Sequence, residues 1–164
     1  MNERVILTGL MVASVALAPE LPNSASGAAR KETTMIAIGA FDVTATPQPE
    51  DDTAGGPFGR LFLDKQFRGD LQGSSKGQML AARTAIEESG AYVAFELVTG
   101  ALNGRAGSFI LQHRGTMRKG VYSMDVTVVP DSGSGELSGI GGAMKIIIEG
   151  RRHSYELEYA FEKE

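Results

Sequence analysis

Three polar residues on neighbouring β-like segments carry most of the chemistry this chain offers: Glu96, Gln112 and His113. A carboxylate, an amide and an imidazole can hold and polarise a carbonyl, and the first and last can move a proton. Tyr92, Tyr155 and Tyr159 add phenolic donors on apolar bodies, Met124 a thioether and Lys65 a long cation. No nucleophile–base arrangement is present among them. The chain has no cysteine, so thiolate chemistry, disulfides and Cys-ligated metals are excluded. Its two histidines, His113 and His153, stand in no metal-ligand spacing, so no metal site is expected. The run Gly73-Ser74-Ser75-Lys76-Gly77 contains no nucleophile elbow, and no phosphate-cradling glycine loop follows a strand. A net charge of −4 with no basic cluster argues against nucleic acid as a partner. The set suits an apolar small molecule held by sparse polar anchors, with no cofactor.

Each candidate also has a structural reading. A lone histidine on an apolar face is commonly a core residue hydrogen-bonded to backbone. Tyr155 and Tyr159 suit a core or rim, and a lysine such as Lys65 commonly snorkels to a barrel mouth. Glu96 is an ordinary solvated acid if it faces outward, and needs a partner if both faces of its strand are covered. Gln112 is the partner that the neighbouring segment offers. The Glu50-Asp51-Asp52 run reads as loop solvation, with no recognisable calcium-ligand order.

Eight segments must position these residues. Strands are expected at 35–46, 61–68, 71–82, 91–99, 107–117, 121–129, 143–149 and 154–161, from short runs of β-favouring residues broken by Gly, Pro, Asn and Asp. Residues 47–57 hold three prolines, three acids and two glycines and form a loop. Asn103-Gly104 signals a hairpin, and Lys119-Gly120 another turn. Eight consecutive strands with short connections predict an all-β fold, an antiparallel up-and-down barrel whose closure removes the sheet edges. A β-sandwich is the second choice. A barrel of that size can hold one small ligand.

Face assignment decides which candidates meet. On the last strand Tyr155, Leu157, Tyr159 and Phe161 share the inward face, opposite Glu156, Glu158 and Glu162. Around Asn103-Gly104 the apolar pattern groups Val93, Phe95 and Leu97 with Phe109, Leu111 and His113, which requires an odd-length loop. Glu96 and Gln112 then face the other way together. Both sets stay open as anchors. Lys65 falls on the face of Leu61, Leu63 and Phe67, and Met124 on that of Val126 and Val128. Ile36, Ile38 and Leu80 point outward, and a homodimer through them is a further expectation.

Residues 1–33 form an apolar segment and linker ahead of a barrel domain at 34–164. The apolar run from Val5 to Ala18 ends in Ala16-Leu17-Ala18, as a secretory leader would. Glu3 cancels Arg4, however, and Pro19 makes the bond after the triplet awkward to cleave. The run is too short to span a bilayer, which needs about 20 apolar residues. The preferred expectation is a retained lid helix over the barrel, with Leu7, Leu10 and Met11 as substrate contacts, in a cytoplasmic protein. The alternative is an exported barrel that binds an apolar small molecule, with the first 29 or so residues removed.

Two stretches carry a resemblance. Residues 100–117, GALNGRAGSFILQHRGTM, and 128–142, VVPDSGSGELSGIGG, closely resemble segments of the DUF3224 family. The resemblance covers roughly residues 36–161. It implies a small barrel of the allene-oxide-cyclase-like, broadly lipocalin-like, type. The glycine-rich turn of the second stretch is also similar to that of allene oxide cyclases and dirigent proteins. A barrel with an added N-terminal apolar helix further resembles the spirotetramate-forming [4+2] cyclases of polyketide antibiotic biosynthesis, of the pyrroindomycin type. What that implies is a cofactor-free Diels-Alderase enclosing an apolar polyketide-type substrate. Such a reaction needs the diene and dienophile held in near-attack geometry and a few hydrogen bonds to a polarised carbonyl.

Overall fold

A computed structural model describes residues 33–49 and 56–162 of the chain. The predicted lid, with Leu7, Leu10 and Met11, and the acidic run at 50–52 lie outside them.

The described residues run through nine strands: β1 Met35–Pro47, β2 Phe58–Gly69, β3 Leu71–Arg83, β4 Gly90–Leu102, β5 Arg105–Arg118, β6 Val121–Val128, β7 Ser134–Gly135, β8 Ile140–Glu149 and β9 Arg152–Phe161. All pairings are antiparallel, and apart from two-residue β7 each strand pairs with its sequence neighbours. β9 returns to β1, and the sheet is a closed eight-stranded up-and-down barrel. β7 is an addition on β5, at Gly107 and Ser108.

The turns set the registers. Leu102 pairs with Arg105, so the β4–β5 loop is the two residues Asn103 and Gly104, both at positive φ. That is the loop the Asn-Gly pair favours, because its twist matches the flanking strands. The loop is therefore even, and the apolar grouping expected across this hairpin is corrected. Glu96 pairs with Leu111, and Ala94 with His113, on the inward face. Phe95 pairs with Gln112 on the outward face. Val93, Phe95 and Leu97 are about half exposed, and Gln112 is exposed.

The interior has two unlike ends. At one end the turns Gly69-Asp70 and Asn103-Gly104 sit beside residues 129–139. There Leu71, Val98, Leu102, Phe109 and Leu157 are fully buried, and Leu137 joins them from the segment after β6 as a plug. Tyr155 and Tyr159 complete this end. The Tyr155 hydroxyl accepts the Leu71 N–H at 2.8 Å, and Asn103 donates to the Tyr159 hydroxyl at 2.9 Å. Both phenols are thus held by the fold. The other end, framed by the Thr84–Ser89 turn and Lys119-Gly120, opens into a cleft of about 480 Å³.

Candidate functional site: a buried charged cluster beneath the open mouth

Inward positions halfway along the barrel carry four buried polar residues: Lys65 on β2, Ser75 on β3, Glu96 on β4 and His113 on β5. Lys65 pairs directly with Ser75 across β2 and β3. Glu96 lies opposite Gly77. A Cβ on Gly77 would sit 2.5 Å from the Glu96 Cγ. The absent side chain therefore lets Glu96 lean across β3 toward Lys65, the close approach that a glycine inside a strand often marks.

The carboxylate gathers the cluster. Lys65 Nζ donates to Glu96 Oε1 at 2.6 Å, and Ser75 Oγ donates to Oε2 at 2.6 Å. His113 Nε2 lies 3.0 Å from Oε1. The contact is close but falls short of a hydrogen bond, and Nε2 makes no hydrogen bond among the described residues. The ammonium of Lys65 also sits 4.8 Å from the centre of the Phe41 ring, a cation–π distance. Glu96 is 1 % exposed and Lys65 6 %. Burial opposes ionisation of Glu96, but His113 and Lys65 outweigh it and hold the carboxyl down at about 2. Glu96 is thus an internal anion. Lys65 does not snorkel to the mouth, because a buried carboxylate gives its ammonium a partner.

Above the cluster stands Tyr92, two inward positions from Glu96 on β4. It pairs with Gly115, where a Cβ would come within 2.1 Å of its ring. The ring therefore lies flat over β5 and reaches β6. Its hydroxyl bonds to that of Tyr122 at 2.8 Å and approaches Met124 Sδ at 3.0 Å. Burial, then the bond to Tyr122, push the Tyr92 hydroxyl above its ordinary range. Tyr92, Tyr122 and Gly115 line the mouth cleft together with Met79, Ala81 and Met117. Tyr92 thus stands between that cleft and the charged cluster.

Of the residues singled out by sequence, the barrel brings Glu96, His113 and Lys65 into one group, with Tyr92 and Met124 above them. Gln112 is not part of it: the two-residue hairpin turns it outward. Tyr155 and Tyr159 face inward but belong to the packed end, where Leu71 and Asn103 engage their hydroxyls. Ser75 was not anticipated; the signal for it is the pair of glycines, Gly73 and Gly77, that flank it inside a strand. Ile36, Ile38 and Leu80 are exposed, as the alternation predicts. Among the described residues no helix is long and apolar enough to cross a membrane.

A family model described as a protein of unknown function, DUF3224, matches residues 37–159. Among solved structures, one from Shewanella oneidensis MR-1, described as a protein with unknown function from the DUF3224 family, is similar. It is 46 % identical, covers 80 % of this chain and 100 % of its own, and superposes with a TM-score of 0.75. No curated protein matches the chain.

Proposed function

The chain belongs to the DUF3224 family, and from that premise we propose that it is a cofactor-independent cyclase. It carries out an intramolecular [4+2] cycloaddition on an apolar polyketide-type substrate taken in at the open mouth of the barrel. The reaction isomerises a single molecule: two σ bonds form at the expense of two π bonds, and no atom or electron leaves. It needs no nucleophile, only a substrate folded so that diene and dienophile meet and an electron-poor carbonyl made poorer. Lys65 and His113 are the donors for that carbonyl. Glu96 holds them in place, with Ser75 on its second oxygen. Tyr92 and Met124 line the approach.

The single observation carrying this reading is a lysine and a histidine that both lie within 3.0 Å of one buried glutamate oxygen inside a largely apolar barrel. Such a group stabilises a fold poorly. Burying an ion pair costs desolvation that its attraction barely repays, and well-packed apolar residues usually serve as well or better. Its retention at the middle of the lumen, beneath a cleft, supports a role in binding or chemistry.

The test is to incubate the protein with a linear synthetic substrate bearing a conjugated diene and an activated exocyclic alkene, and to follow spirocycle formation by chromatography. The proposal expects acceleration over the uncatalysed rate and a loss of about 10²–10³ in rate for Glu96→Gln, the scale of losing a preorganised polar contact. No acceleration by the wild-type protein overturns it. Binding of the substrate without turnover would make the barrel a carrier of apolar molecules.

A further inference from the structure

We propose that the ligand of this barrel carries an anionic oxygen on an apolar body, a carboxylate or an enolate, seated between Lys65 and His113. The inference deepens the reading of the interior as a small-molecule site and does not require the cycloaddition.

It follows from counting donors against acceptors. A lysine ammonium has three N–H bonds, a neutral imidazole one, a serine hydroxyl one, and a carboxylate only accepts. Among the described residues Lys65 gives one bond, to Glu96 Oε1, and Ser75 takes Oε2. His113 Nε2 approaches Oε1 as well but makes no hydrogen bond there. Each carboxylate oxygen thus takes one hydrogen bond, and in this geometry two N–H bonds of Lys65 and Nε2 of His113 have no acceptor among the described residues, in a place almost closed to solvent. Phe41 offers the ammonium a π face, which accepts no second strong bond. As placed these donors are unsatisfied, and buried donors are ordinarily satisfied.

An oxygen between Lys65 and His113 supplies that acceptor. The chemistry of the open groups favours an anionic one. They belong to an ammonium and an imidazole, so an oxygen that only accepts is matched there where a second cation is not. Hydrogen bonds to ionised groups in such a site are roughly twice as strong as neutral ones. The apolar remainder of the ligand would lie past Tyr92, in the mouth cleft that Met79 and Ala81 line.

The experiment compares octanoate, octan-1-ol and octylamine with the intact chain, by titration calorimetry and by the imidazole signals in NMR. The chain has two histidines, and His153 lies against Phe41, one ring removed from Lys65. Octanoate is expected to bind roughly ten- to hundredfold more tightly than octan-1-ol, the worth of a charge-assisted bond, and to shift His113 more than His153. Lys65→Met with Glu96→Gln, which leaves no unpaired charge, should abolish the preference. Equal affinity for acid and alcohol, tighter binding of the amine, or shifts at His153 alone would each overturn the inference. The wild-type comparison decides even if the variant fails to fold. Octanoate preference without spirocycle formation keeps the ligand class and removes the cyclase; spirocycle formation without octanoate preference does the reverse.

Discussion

The two ends of the barrel interior are built from the same strands and do different work. At the plugged end Leu71, Leu102, Phe109 and Leu157 fill the space and both tyrosine hydroxyls are tied to the fold. Toward the open end, from halfway along the barrel, the same β2, β3, β4 and β5 carry Lys65, Ser75, Glu96 and His113, and glycines replace side chains where Glu96 and Tyr92 lean over. The first end is what a small barrel needs to fold. The second gives up apolar burial, worth about 1.5–3 kcal/mol for each large side chain, to keep a charged group out of water. The contrast teaches that the site is sought where the barrel fails to be a good core.

Substitutions that treat the ends differently sharpen or break this contrast. The largest effect is expected from Glu96→Ala, which leaves Lys65 buried without its anion. About 3–5 kcal/mol of stability should be lost, along with ligand binding, as read by denaturant unfolding and titration. The milder Glu96→Gln should flatten the acid limb of the stability curve. The folded carboxyl titrates at about 2, below its ordinary 4.5. Its contribution is therefore fully present above the ordinary value and is lost as pH falls through the folded one. A Gln variant with the same loss below pH 4.5 would assign that limb to other carboxylates.

Next is Leu102→Ala at the plugged end, expected to cost about 2–5 kcal/mol. Below its melting temperature this variant should bind ligand as the wild type does, and weakened binding would mean that the two ends are not separable. Gly115→Val comes third. Its side chain has no room beside the Tyr92 ring, and about 1–3 kcal/mol of overpacking is expected, with a changed rate of ligand entry in stopped-flow measurements. The smallest effect belongs to Phe95→Ser on the outer face, within about 0.5 kcal/mol and with binding unchanged. A large loss there would show that the exposed strip of β4 is covered in solution.

Most of the fold was legible because short alternating runs and turn residues mark strands directly. Every expected strand corresponds to one in the barrel, most of them a few residues longer. The tiny β7 was hidden in a glycine- and serine-rich stretch, where two paired residues leave no pattern. The inward face of β4 stays open in the sequence for a physical reason. Its outward residues Val93, Phe95 and Leu97 are apolar while its inward face holds Glu96, so hydrophobicity points the wrong way. The correct signal was the Asn103-Gly104 pair, whose favoured two-residue loop fixes the register and puts Glu96 on the side of His113. Lys65 was placed on the right face but not with its partner, because cross-barrel contacts depend on side chains reaching over glycines. Gly77 and Gly115 were the visible traces of that reach.

The central claim is that the charged cluster is kept for a ligand and not for the fold, and the double variant Lys65→Met with Glu96→Leu tests it most directly. Its thermal unfolding and its octanoate binding are measured side by side with wild type. The account predicts stability equal to wild type or higher by about 1–4 kcal/mol, as for other buried pairs replaced by apolar residues, with the preference for octanoate gone. A variant destabilised as much as Leu102→Ala, or one that still prefers octanoate to octan-1-ol, would contradict it.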